Sequence, residues 1–204
     1  MNMATLPAAH ILAGFTHGFR HRRELARILA ETPANCSILR LDPHRLRAEG
    51  IRVLALDFDG VLAPHGSPVP LPVAVEWMDR CAALFGEANI FILSNKPTDE
   101  RRQWFGNRFP AMRFISGVRK KPFPDGLERV AEMAVVPPSA ILMVDDRLLT
   151  GCLGALVAGA RPAYIRAPYV SFSQRPLAEL VFMLLRSSER LLVRLGGVTS
   201  QYIE

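Results

Sequence analysis

Two aspartates one residue apart, Asp57 and Asp59, close a short apolar run, Val53-Leu54-Ala55-Leu56, and Gly60 follows them. Residues i and i+2 of an extended segment project the same way, so the two carboxylates can address one substrate while the glycine lets the chain turn away. An apolar run that ends in charge reads as a buried parallel strand presenting ligand-binding groups at its C-terminal edge. Polar groups recur beside further apolar runs: Ser94-Asn95 after residues 89–93, Lys120-Lys121 after Phe114-Ile115, and Asp145-Asp146 after residues 140–144. Singly, each has a plainer reading as a turn, a helix cap or a solvated charge pair. In this order, a carboxylate pair, a hydroxyl, an amine and a second carboxylate pair point to phosphoryl transfer.

Alternating strand and helix supplies the frame. Apolar runs near 53–56, 89–93, 112–115, 140–144 and 163–165 are separated by helical patterns at 73–85, 99–107, 123–133 and 148–158. This predicts an α/β fold, a doubly wound open parallel sheet with right-handed crossovers. Between Gly60 and Ser94, and again between Asn95 and Lys121, there is room for one helix and its connections, so no separate cap domain is expected. An open site of this kind suits bulky substrates better than a small sugar phosphate. The proline-rich stretch 63–70 should be a loop over the site. His65 within it reads as a loop residue for which no partner can be named, rather than as a base.

The chain has 204 residues, half of them apolar, enough for one sizeable core. A net charge of +6 favours anionic partners. Three widely spaced cysteines without a CxxC pair indicate neither a disulfide framework nor a zinc site, which fits a reducing cytoplasmic setting. Residues 1–35 form a distinct basic amphipathic segment ahead of the main domain, 36–204. Its stripe of Ile11, Leu12, Phe15 and Phe19 is too short to span a bilayer, and no small-residue cleavage pattern accompanies it. It reads as a helix packed on the domain, as a helix lying on an anionic membrane, or as an Arg-rich organelle transit segment. At the other end, leucines from Leu177 to Leu195 trace an apolar helical face, with Arg186, Arg190 and Arg194 four apart on another. The plainer expectation packs the leucines on the sheet with the arginines in water; the alternative is a membrane-facing stripe.

Asp57-Phe58-Asp59-Gly60-Val61, Ser94, Lys121 and Asp145-Asp146 resemble the four ordered motifs of the haloacid dehalogenase superfamily, covering residues 53–146. The resemblance implies a Mg²⁺-dependent phosphatase working through an aspartyl-phosphate. Asp57 would be the nucleophile and Asp59 the acid and base. Ser94 and Lys121, with Asn95 and Gly60 beside them, would hold phosphoryl oxygens. Asp57, the Asp59 backbone carbonyl, and Asp145 or Asp146 would hold the metal. A narrower likeness rests on Gly50-Ile51-Arg52, Ser94-Asn95, Lys121-Pro122, residues 146–150 and the basic C-terminal helix. It points to the phosphatidylglycerophosphate phosphatase branch, and so to a phospholipid substrate at the inner face of a membrane. The alternatives are a phosphatase of nucleic-acid ends or small phosphometabolites, and a catalytically silent binding protein of the same fold. Nucleic acid is the less favoured partner because the arginines are not interleaved with aromatics.

Overall fold

The computed structural model describes residues 18–94, 97–173 and 175–198. Five strands form one parallel sheet in the order β3-β2-β1-β4-β5: β1 Val53–Leu56, β2 Ile90–Leu93, β3 Arg113–Ile115, β4 Ile141–Asp145 and β5 Arg161–Tyr164. Every residue of β1, β2 and β4 is buried, as central parallel strands covered on both faces must be. The chain runs outward from β1 through β2 to β3, then returns to the other side of β1 for β4 and β5. The sheet therefore has its switch point between β1 and β4, where a crevice opens at the carboxyl edge.

The helices are α1 Arg22–Glu31, α2 Pro43–Ala48, α3 Pro72–Phe85, α4 Asp99–Arg108, α5 Asp125–Ala134, α6 Leu153–Ala158 and α7 Pro176–Val198. Side chains alternate across β1: Leu54 and Leu56 join a core with Trp77 and Met78 of α3 and Phe105 of α4, whereas Val53 and Ala55 join Leu127 and Val130 of α5 and Ala155 of α6. A third cluster ties Leu25 and Leu29 of α1 to Leu153, Tyr164 and Val193 of α7. One helix and its connections separate β1 from β2, and among the described residues no cap is inserted there.

Two segments depart from expectation. The helix expected over 148–158 is split into a π-helical turn, Leu148–Cys152, and the short α6. The last strand lies at Arg161–Tyr164, two residues earlier than its apolar signal suggested.

The larger departure is α7. Its buried row is Glu179, Arg186, Glu189 and Val193, while Leu177, Val181, Leu184, Leu191 and Leu195 are exposed. The expectation that leucines pack inward with Arg186, Arg190 and Arg194 outward is thus overturned for Arg186, which is 3% exposed; of the three, Arg190 is half-buried and Arg194 exposed. The reason is that each inward charge has partners waiting on the domain, which offsets the cost of burying it. Among the described residues no helix is long and apolar enough to cross a membrane. Of the N-terminal stripe, Ile11, Leu12 and Phe15 lie outside the described residues; Phe19 is exposed under the Arg22 guanidinium, 4.5 Å from its ring centre.

Candidate active site

β1 delivers the first carboxylate. The Asp57 N–H donates to the Val144 carbonyl at 2.9 Å, extending the β1–β4 ladder one step and setting Asp57 beside Asp145 at the switch point. Lys121, from the loop after β3, donates from Nζ to Asp57 Oδ1 at 2.8 Å and to Asp145 Oδ2 at 2.5 Å. Asp145 also accepts from the Arg147 N–H at 2.9 Å. Asp146 turns the other way and meets Arg186 Nε of α7 at 2.5 Å, an ion pair almost wholly out of water. Each of Asp57, Asp145 and Asp146 offers an oxygen within 4.8 Å of the others.

Two glycines allow this crowding. Gly60 has φ +82°, and a side chain there would collide with the Asp146 carboxylate and press on Arg186. A side chain at Gly151, in the π-helical turn, would collide with Asp145. That turn wraps around the carboxylate, which accounts for the irregular backbone where a plain helix was expected.

Burial pushes the Asp57 carboxyl up to about 7; Lys121 opposes this, and the charges of Asp145 and Asp146 add to it. Burial likewise pushes Asp146 up to about 7, with Asp145 adding to it and Arg186 and Arg147 opposing. The Lys121 ammonium is held above its ordinary value, because Asp145 and Asp57 outweigh the burial that would lower it. Crowded buried carboxylates with raised affinity for positive charge form an all-oxygen donor set, and Mg²⁺, a hard ion, fits it.

Asp59 stands beside this cluster. Its two oxygens take Arg101 Nη2 at 2.8 Å and Nη1 at 3.1 Å, and the Gly66 N–H donates to Oδ1 at 3.1 Å. Arg101 in turn lies over the Phe58 ring at 3.8 Å and donates from Nε to the Ser67 carbonyl. Asp57, Asp59, Ser94, Lys121, Asp145 and Asp146 all line one cavity of about 280 Å³. Asn95 lies outside the described residues.

His65 has the partner that the sequence did not reveal. Its ring stacks on Phe182 at 3.7 Å between centres, and Nδ1 lies 3.6 Å from the buried carboxylate of Glu179. Burial lowers its pKa. Further back on α7, Glu189 binds the Arg147 guanidinium and accepts from the Leu148 N–H at 3.0 Å. Glu179, Phe182, Arg186 and Glu189 recur at spacings of three and four, so one face of α7 forms a wall of the site. Reading the sequence for leucines passed over that mixed-charge row, and nothing in the sequence singles out Arg101.

No curated protein is similar enough to count as a relative. Solved structures that the chain resembles include three. An uncharacterized protein from Corynebacterium glutamicum has 24% identity and a TM-score of 0.45 over 68% of this chain and 96% of its own. An uncharacterized protein from Listeria monocytogenes serotype 4b has 15% identity and a TM-score of 0.49 over 67% and 99%. An enzyme of the haloacid dehalogenase family from Bacteroides thetaiotaomicron, solved as a magnesium complex, has 16% identity and a TM-score of 0.39 over 63% and 98%. The family description of haloacid dehalogenase-like hydrolases matches residues 7–159, three quarters of the chain and every converging carboxylate, and the chain belongs to that family.

Proposed function

We propose that the chain is a Mg²⁺-dependent phosphomonoester hydrolase. The observation that carries this reading is Lys121 bridging Asp57 and Asp145 within a buried cluster of carboxylates. Asp57 attacks phosphorus as the bond from phosphorus to the ester oxygen breaks, and an aspartyl-phosphate forms. Asp59, steered by its contacts with Arg101 and the Gly66 N–H, donates a proton to the departing alcohol and then takes one from the water that cleaves the aspartyl-phosphate. Inorganic phosphate leaves and Asp57 is regenerated. Lys121 and the Ser94 hydroxyl hold the phosphoryl oxygens, with Gly60 and Asn95 beside them. Asp57, Asp145 and Asp146 would hold Mg²⁺, with the Asp59 backbone carbonyl as a further ligand; when bound, the ion offsets negative charge on the phosphoryl group.

The substrate class in this reading is a phosphate on a bulky carrier, with a lipid phosphate such as phosphatidylglycerophosphate leading. The open mouth and the basic side chain of Lys120 at the cavity wall support it. Contact with an anionic membrane surface at the cytoplasmic side would then fall to the basic N-terminal stretch around Arg20, not to Arg186, which is occupied by Asp146. Phosphate release should be measured with and without Mg²⁺ on p-nitrophenyl phosphate, phosphatidylglycerophosphate in mixed micelles, soluble phosphate esters and 5′-phosphorylated oligonucleotides. The expected result is Mg²⁺-dependent release that Asp57→Asn abolishes without unfolding the protein, fastest on the micellar lipid. A folded wild type that releases phosphate from none of them would be a silent binding protein, and a preference for soluble esters would remove the lipid assignment alone.

A further inference from the structure

The outward face of α7 is as regular as its inward one. Its most exposed apolar residues are Leu177 (78%), Val181 (53%), Leu184 (60%), Leu191 (57%) and Leu195 (59%), with exposed Ser188 between them. Their positions, 177, 181, 184, 188, 191 and 195, step by four and three alternately, the spacing of a two-helix seam. Leu180, Leu185 and Leu192 widen the row on its flanks at 40–49% exposure. Isolated exposed leucines need no explanation, but a continuous face along a 23-residue helix does.

We infer that this face is the interface of a two-fold symmetric dimer, in which α7 of one chain packs antiparallel on α7 of a second copy. Three observations favour a second copy. The spacing reads the same in both directions, so an antiparallel copy brings Leu177 opposite Leu195, Val181 opposite Leu191 and Leu184 opposite Ser188. A two-fold interface requires such a self-complementary surface. The small side chains of Ser187 and Ser188 fall near the middle of Pro176–Val198, where the two helices cross and must approach closely. The eight apolar residues of the row and its flanks are 40–78% exposed, a continuous face of the kind that supplies one partner's share, about 800 Å², of an interface of standard size.

A bilayer fits this face less well. Helices that lie on membranes flank their apolar face with basic residues. On α7, Glu179, Arg186 and Glu189 are buried against the domain and Arg190 is half-buried, which leaves Arg194 as the exposed charge among the described residues of the helix. A groove lined by Phe19, Arg22, Leu25, Leu192, Val193 and Gly196 lies at the end of α7 that Leu177 of a second copy would reach.

The proposal does not depend on the phosphatase reading, and its test needs no turnover. Sedimentation equilibrium of the full chain between about 1 and 200 μM should give twice the 22.6 kDa mass of one chain, with dissociation on dilution. Leu184→Glu with Leu191→Glu should weaken the dimer by roughly 100-fold or more. Both positions are on the exposed face, so circular dichroism should match wild type, and thermal unfolding should stay cooperative while losing only the concentration-dependent part of the wild-type stability. Orientation is read by oxidation. Leu177→Cys combined with Leu195→Cys should form a covalent dimer, whereas Leu177→Cys alone should not, because two α-carbons must come within about 7 Å to be bridged. The native cysteines are buried and do not compete. A monomer throughout, a dimer indifferent to the glutamates, or cross-linking through Leu177→Cys alone would overturn the proposal. So would binding to neutral phosphatidylcholine vesicles that the glutamates abolish, which would assign the face to a bilayer.

Discussion

The Arg186–Asp146 pair can be tested by removing the cation while keeping its bulk. Arg186→Met retains an unbranched side chain of similar reach but leaves Asp146, 2% exposed, beside Asp145 with its counter-charge gone. Breaking a buried pair from one side costs about 3–5 kcal/mol. For a chain of this length that corresponds to a fall in melting temperature of roughly 10 °C. The cost should depend on pH, because burial already pushes Asp146 up to about 7. Losing Arg186, which opposes that rise, pushes the carboxyl further up, so the loss grows with pH as the stranded carboxylate ionises and is larger at pH 8 without metal than at pH 5.5. At pH 5.5 it takes a proton, and only a hydrogen bond and some packing are lost, about 1–2 kcal/mol. Mg²⁺ should relieve the loss at pH 8, since a cation on Asp146 supplies the missing charge; at a hundred times its dissociation constant it contributes about 2.7 kcal/mol. Adding Asp146→Asn to Arg186→Met should also recover most of the stability. Thermal unfolding of wild type, Arg186→Met and the double variant at both pH values, with and without Mg²⁺, measures all of this. A loss that is equal at the two pH values and unrelieved by Mg²⁺ would refute the electrostatic account.

Other outcomes follow from the same geometry. Mg²⁺ affinity, measured by calorimetry, should rise with pH through about 7, because Asp57 and Asp146 must both give up protons to bind it. For the metal-free protein the sign is opposite: the native state holds protons that the unfolded chain releases above about 4, so stability should fall from there to about pH 7 and level off above. Gly151→Ala should destabilise by about 1–3 kcal/mol and weaken Mg²⁺ binding, since the added carbon displaces Asp145; unchanged Mg²⁺ affinity would separate that turn from the site. Arg101→Met keeps an apolar neighbour over Phe58 but frees Asp59, so kcat should fall roughly 100-fold with little change in KM, and an unaltered kcat would remove Arg101 from the mechanism.

The sheet and its carboxyl edge were legible because β1, β2 and β4 are buried on both faces. Short apolar runs are then unavoidable, and charged residues placed at their ends stand out. That Asp57, Ser94, Lys121, Asp145 and Asp146 meet at one edge could be read from their positions for that reason. The wall formed by α7 was not legible, because the habit of turning apolar stripes inward assumes that charge has nowhere better to go. Here Glu179, Arg186 and Glu189 each meet a partner far away in the chain: His65, Asp146 and Arg147. Such matches depend on tertiary placement, and periodicity carries no trace of them. Arg101 was hidden in the same way, as one of several arginines on a helix whose role depends on lying 42 residues from Asp59 in sequence but within hydrogen-bonding reach in space.

The contribution of α7 also bears on how the protein is made. Synthesis releases the N-terminal part of a chain first, at about 5–20 residues per second. All five strands, and with them Asp57, Lys121, Asp145 and Asp146, are complete by Tyr164, so the sheet can assemble on the ribosome before α7 is available. In that interval Asp146 has no Arg186, Arg147 no Glu189, and the loop at His65 no Glu179 to receive its N–H. The nascent protein can thus gather its carboxylates around Lys121 before Arg186 is there to balance Asp146, and α7, which emerges after them, completes the wall of the pocket.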